Sequence, residues 1–193
     1  MTTEVHIARG RPTKEDVLDR TYQALQAFND AQELDFAQTK EDMSEFSISV
    51  YFVTSQQPQL GVLLSFDLEL DFAVYTLASE DSARLAVLRA TLETFIGFET
   101  SDGLLREAQE SPTPRALVRL GRGFSGPQDT QVMKLLRQGL SGEAPGMRRA
   151  AALALLSLKW EVILPDLRAA FERETDPEAR QTMAFVQERL TVI

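Results

Sequence analysis

Hydrophobic and polar positions change their period three times along this chain. Val17, Thr21, Tyr22, Leu25 and Phe28 share one helical face behind Pro12-Thr13-Lys14-Glu15-Asp16. That opening offers Thr13 as a cap and two acids for the positive end of the helix dipole. The helix is expected to end near Asn29. Residues 31–44 are polar apart from Leu34 and Phe36, and read mostly as loop with at most a short strand. Phe46, Ile48, Val50 and Phe52 then alternate with Ser47, Ser49, Tyr51 and Val53, the pattern of a half-buried strand. Ser55-Gln56-Gln57-Pro58-Gln59 reads as a turn. Alternation resumes from Leu60 to Leu77. That run is too long for one strand, so a bend or tight turn is expected around Glu69–Asp71. The expected result is a meander of two or three antiparallel strands, with one wet face and a helix on the dry one.

From Ser79 onward the period is helical. Ser79 or Ser82 is placed to cap a helix carrying Leu85, Leu88, Leu92, Phe95 and Ile96. Gly97 to Gly103 breaks it, and Leu104 to Glu110 forms a short second helix. Three P-x-x-R units follow, at Pro112–Arg115, Pro145–Arg148 and Pro177–Arg180, with arginines 33 and 32 residues apart. Arg84 precedes Arg115 by 31. Each unit opens an apolar helix, and the first two are followed by a turn and a second amphipathic helix. Val132 and Leu135 match Leu164 and Leu167 at the same spacing of 32. A fixed period of this size predicts stacked helical hairpins, none of which can bury its apolar face alone.

The stretch Ala144-Pro145-Gly146-Met147-Arg148-Arg149-Ala150-Ala151-Ala152-Leu153-Ala154-Leu155, followed by Leu164-Pro165-Asp166-Leu167, resembles a short bacterial HEAT repeat of the PBS-lyase type. Asp176-Pro177-Glu178-Ala179-Arg180 resembles the opening of the next one. The similarity is good over 142–190, fair over 111–141 and faint over 79–110, and it leaves 1–78 unrecognised. Such repeats make curved protein-binding surfaces; some relatives act on bilin-carrying proteins and some hold damaged DNA. The resemblance implies that the second helix of each hairpin lines the concave face, which makes Lys134, Arg137, Arg168 and Arg173 the first candidate contacts. The last unit, ending at Ile193 without a second helix, is expected to serve as a cap or to be covered by a partner. The helix–strand–strand–strand–helix order of the N-terminal part is also similar to small α+β folds of the secretion-chaperone type, by analogy of fold alone.

The fold class expected is therefore mainly α with an α+β N-terminal part. Residues 1–78 form a helix plus a small antiparallel sheet. Residues 79–193 form a HEAT-like solenoid of about three and a half hairpins.

Composition narrows the chemistry. The 193 residues include no cysteine and one histidine, His6, which excludes disulfides, thiolate metal sites, cysteine nucleophiles and multi-histidine centres. Met1 to Arg11 has no apolar core of a secretory signal, and the nearly apolar run Ala150–Leu158 is too short to span a bilayer. A cytoplasmic protein without membrane attachment is expected, and the preference for arginine over lysine (16 against 4) suggests a bacterial source. Twenty basic and 29 acidic side chains give a charge of −9. Residues 1–110 carry −12 and residues 111–193 carry +3. This asymmetry fits either two functional surfaces or two halves that attract each other.

Five other features bear on the chemistry. Asp67, Glu69 and Asp71 fall on one face of a strand pattern, where they could gather a hard cation or form an acidic docking stripe. No glycine-centred calcium loop accompanies them, so a solvated strand face is favoured over a metal site. Gly121-Arg122-Gly123-Phe124-Ser125-Gly126 matches G-x-G-x-x-G, but a helix precedes it where a nucleotide site needs a strand, so it reads as an inter-helix turn. Arg115, Arg119 and Arg122 share a helix face and could hold phosphates, against the repulsion of the chain's net charge. Trp160 reads as a packing residue between two helices, and His6 as a peripheral residue of an extended segment. Neither a cofactor nor a catalytic residue is expected. The function expected is non-enzymatic: an adaptor, regulator or chaperone-like protein with a protein partner. The alternatives are a nucleic-acid binder using the arginine stripe and an immunity-type inhibitor of a basic enzyme.

Overall fold

A computed structural model describes residues 1–57 and 59–191, so Pro58 of the predicted turn and the last two positions, Val192 and Ile193, lie outside the described residues. The chain is an α+β protein that divides into two compact units, Met1–Glu99 and Thr100–Ile193.

The first unit contains β1 (Thr2–Ile7), α1 (Lys14–Gln32), β2 (Phe36–Met43), β3 (Ser47–Thr54), β4 (Leu60–Asp67), β5 (Phe72–Ser79) and α2 (Ser82–Ile96). The strands form one antiparallel sheet in the order β1-β5-β4-β3-β2. Alternation in β3 and β4 works as the pattern predicted: Ile48, Val50 and Phe52 are buried, as are Val62, Leu64 and Phe66. Register aligns them into rows across the sheet, Val50 with Leu64 and Tyr75, and Phe52 with Val62 and Leu77. Val17, Leu25 and Phe28 of α1 and Leu85, Leu88 and Leu92 of α2 complete this core. Thr13 caps α1 by accepting from the Asp16 N–H, as expected. Asp81, rather than either predicted serine, caps α2 by accepting from Ala83 and Arg84.

Three expectations change here. The sheet has five strands, not two or three. The polar segment 36–43 is a full edge strand, and 2–7 is the other edge. β2 escapes a periodicity test because both of its faces are wet, with Phe36 its one buried side chain. A register shift between Gln38 and Lys40, together with the charges of Lys40, Glu41 and Asp42, makes this edge unattractive to another strand. Finally, α2 clusters with the sheet, so the first unit runs to Glu99 where a boundary at 78/79 was expected. The physical reason is that Leu85, Leu88 and Leu92 are buried against the sheet core.

The second unit contains α3 (Ser101–Glu110), α4 (Pro114–Gly123), α5 (Thr130–Leu140), α6 (Pro145–Leu158), α7 (Leu164–Arg173) and α8 (Pro177–Thr191), with a 3-10 turn at Glu161–Ile163. Helices α4, α6 and α8 pack in one row, and α3, α5 and α7 in another. Short loops at 111–113, 141–144 and 174–176 join α3 to α4, α5 to α6 and α7 to α8, and each joined pair packs together. The P-x-x-R helix is thus the second helix of its hairpin, not the first, and α8 has a partner in α7. Pro112 lies before α4; Thr113 is the cap and Pro114 opens the helix. The buried positions Val132 and Leu136 of α5 recur as Ile163 and Leu167, whereas Leu135 and Leu164 are only half-buried.

Close approach within the row is set by small residues. Gly121 is an interior residue of α4, where a Cβ would meet the Ala154 Cα of α6 at 2.4 Å. The buried alanines Ala150, Ala151, Ala152 and Ala154 line α6. The G-x-G-x-x-G stretch therefore begins as a helix contact, and only its later residues form the turn.

Candidate protein-binding surfaces

Lys134 and Arg137 are exposed on α5, and Arg168 and Arg173 are exposed on α7. Arg137 is tied to α7, with Nε donating to Asp166 Oδ2 at 2.9 Å. Arg173 turns its Nε back to the Ala169 carbonyl at 3.0 Å. Beside it lies a half-open cavity of about 320 Å³, with Ser141, Arg173 and Thr175 around an Arg148–Glu174 pair. The four predicted cations thus lie on two adjacent helices of one row. Among the described residues, Arg137 is the one of the four held by a carboxylate.

The sequence reads Arg148 and Arg180 as repeat residues that pair with nearby acids or carbonyls, and Glu174 is the acid that Arg148 takes. Arg148 Nε and Nη2 meet the two Glu174 oxygens at 2.6 and 2.7 Å. Arg148 Nη1 also donates to the Gly142 and Glu143 carbonyls at 2.9 and 2.6 Å. Glu174 accepts further from the Thr175 and Asp176 N–H groups. Those bonds, led by the one from Arg148, pull the Glu174 carboxyl down to about 2 and raise Arg148 above its usual value. Arg180 repeats part of this arrangement, donating to the Phe171 and Glu174 carbonyls at 2.9 and 3.1 Å and lying over the Phe171 ring. Arg148 to Gly142 and Arg180 to Glu174 are the same contact, displaced by 32 residues in both partners.

Asp67, Glu69 and Asp71 do not form a strand-face stripe. Asp67 closes β4, and its Oδ1 accepts from the Glu69 and Leu70 N–H groups at 3.1 and 2.9 Å. Glu69 and Asp71 belong to the β4–β5 turn, with Asp71 at a φ of 55° and its N–H on the Asp67 carbonyl. The alternation that suggested a shared face ends where the chain reverses. Among the described residues, no three histidine, aspartate or glutamate side chains converge as metal ligands.

The arginine stripe is also dismantled. Arg119 is 2% exposed and Arg115 12%, and both reach Glu107 Oε1, at 3.5 and 3.4 Å. Arg122 alone of the three is exposed. Trp160 is buried with its ring edge-on to Phe124. His6 lies on the edge strand β1, stacked on Phe98 at 4.7 Å with Nε2 against Glu4. No helix among the described residues is long and apolar enough to cross a membrane.

These observations define an α+β protein with a sheet-and-helix unit and a unit of paired helices, internally repeated in its arginine–carbonyl contacts. Set against protein-family models, curated proteins and solved structures, the chain has no match.

Proposed function

We propose that the chain is a non-enzymatic protein-binding adaptor whose second unit is a HEAT-like stack of helical hairpins. The supporting observation is the recurrence of one contact at a 32-residue displacement, Arg148 to Gly142 and Arg180 to Glu174, within two rows of helices. Stacked hairpins of this kind expose one helix of every pair along a continuous face. Here that row is α3, α5 and α7, and it carries Lys134, Arg168 and Arg173. Against the phosphate-binding alternative stands the engagement of both Arg115 and Arg119 by Glu107. An inhibitor of a basic enzyme is a special case of the same proposal, using the acidic first unit.

The test is a tagged pulldown from the native cell, comparing wild type with Lys134→Glu/Arg168→Glu/Arg173→Glu. Arg137 is spared because its substitution would break the Asp166 bond and confuse folding with binding. The expected result is a specific protein lost from the variant while circular dichroism is unchanged. Nuclease-sensitive nucleic acid in place of a protein, or the same proteins on both baits, would overturn the assignment of this face.

A further inference from the structure

The apolar face of the sheet does not stop where its helices stop. Ile48 and Phe66 are buried opposite one another in β3 and β4. Just beyond the ends of these strands stand Phe46 and Leu68, joined by the Leu68 N–H on the Phe46 carbonyl at 2.9 Å. That bond adds one more rung to the β3–β4 ladder beyond the Ser47–Asp67 pair, which puts Phe46 and Leu68 in register with the Ile48–Phe66 row on the core side. Met43, paired with Ile48 across β2 and β3, belongs to the same side. Yet Met43 is 78% exposed, Phe46 56% and Leu68 44%. The crevice between Lys14 and Leu18 of α1 and the Ile48–Phe66 row opens beside them. Three of the large apolar side chains that this protein leaves in water are therefore gathered at one end of one sheet face.

Charge identifies the partner. The segments carrying these side chains, 41–46 and 67–71, contain six carboxylates and no basic residue, of which Asp67 accepts from the N–H groups of its own turn. Glu15 and Asp16 add two more in the first turn of α1. Lys14 lines the crevice, and Lys40 of β2 is bonded to Asp42. An apolar centre with an acidic rim excludes acidic and anionic-lipid surfaces by repulsion and steers basic ones toward it.

We propose that this end of the sheet docks a basic protein segment, which seats an apolar side chain against Phe46, Leu68 and Met43 while its lysines or arginines meet the surrounding carboxylates. This rests on the protein-binding reading above and adds a second surface, of opposite charge to the α5–α7 row.

The test is a titration of the ¹⁵N-labelled full chain with a peptide of alternating leucine and lysine, and with its leucine–glutamate counterpart. Expected are amide shift changes concentrated in 41–48 and 66–70 with the lysine peptide and none with the glutamate one. Phe46→Ser/Leu68→Ser should weaken the lysine peptide at least about tenfold, as loss of an apolar anchor does. Both side chains are exposed, so the variant should keep the wild-type spectrum elsewhere. Shift changes spread over acidic residues of the whole unit, or affinity indifferent to the double substitution, would overturn the proposal. So would a concentration-dependent dimer in sedimentation that Phe46→Ser abolishes, because the occupant would then be a second copy. Failure here with success in the α5–α7 pulldown would remove this surface and leave the adaptor reading standing.

Discussion

Arg148 holds Glu174 through two parallel hydrogen bonds, 26 residues apart in sequence and joining the start of α6 to the loop before α8. The Glu174 side chain is wholly buried, and its carboxyl is held at about 2 against an ordinary 4.5, chiefly by Arg148. Removing one partner of such a pair leaves the other buried and uncompensated. Glu174→Gln should therefore cost about 3 kcal/mol in urea unfolding at pH 7. The pH dependence has a definite sign. Between the two pKa values the unfolded chain binds a proton that the folded chain does not, so the pair's contribution is complete above about pH 5 and fades as pH falls toward 2. The wild type should lose stability through that window, and Glu174→Gln should lose less. An equal slope in both would refute this account. Arg148→Lys should rescue little, since an ammonium cannot form the fork.

Gly121 makes a separate demand. Alanine favours a helix interior by about 1 kcal/mol over glycine, so Gly121→Ala would stabilise an isolated α4. Here the added methyl would meet the Ala154 backbone, which cannot swing aside. We expect a net loss of about 3 kcal/mol, as overpacking against backbone gives. Trp160 lies in the same unit, while the three tyrosines, Tyr22, Tyr51 and Tyr75, all belong to the first. The loss should appear as an earlier transition in Trp160 fluorescence.

Much of this architecture is legible in the sequence. The β3 and β4 pattern was plain because each buries one face, whereas β5 is buried on both faces over its first half. The arginine spacing was plain because Arg148 and Arg180 repeat one task. Other features carried no periodic signal. β2 wets both faces, so its residues obey no alternation. The phase of the hairpins was misread because the sequence marks where α4, α6 and α8 begin but not which neighbour each packs on. The carboxylates Asp67, Glu69 and Asp71 keep a two-residue spacing through a turn that destroys its meaning. Phe46 looked like one more core residue, since alternation says which face a side chain takes but not where the covering helix ends.

Within the sheet unit, Tyr75 and Thr21 share a buried hydrogen bond of 2.7 Å. Thr21 gives its own hydroxyl proton to the Val17 carbonyl at 2.6 Å, so the tyrosine must be the donor. Burial pushes the Tyr75 hydroxyl well above the usual phenol value and keeps it neutral. Thr21→Val would strand that hydroxyl without an acceptor and should cost about 2 kcal/mol. Tyr75→Phe removes the donor and leaves Thr21 still bonded to Val17, so it should cost about 1 kcal/mol. Denaturant midpoints of the two variants decide the order. A Tyr75→Phe protein less stable than Thr21→Val would mean the proton runs the other way.

Lys159 and Glu33 end α6 and α1 in the left-handed region, at φ of 56° and 51°. A side chain there costs about 1–2 kcal/mol, because its Cβ crowds the following carbonyl. Glycine avoids that cost but adds unfolded-state entropy of about 0.5–1 kcal/mol. The difference favours glycine, so Lys159→Gly and Glu33→Gly should each stabilise by about 0.5–1 kcal/mol. Lys159 directly precedes Trp160, whose fluorescence should then report a later unfolding midpoint for Lys159→Gly. The backbone N–H of each cap keeps its bond to the helix, Lys159 to Leu155 and Glu33 to Asn29, so the cap hydrogen bond survives the exchange. An unchanged or lower midpoint would show that the lysine side chain contributes packing beyond its conformational strain.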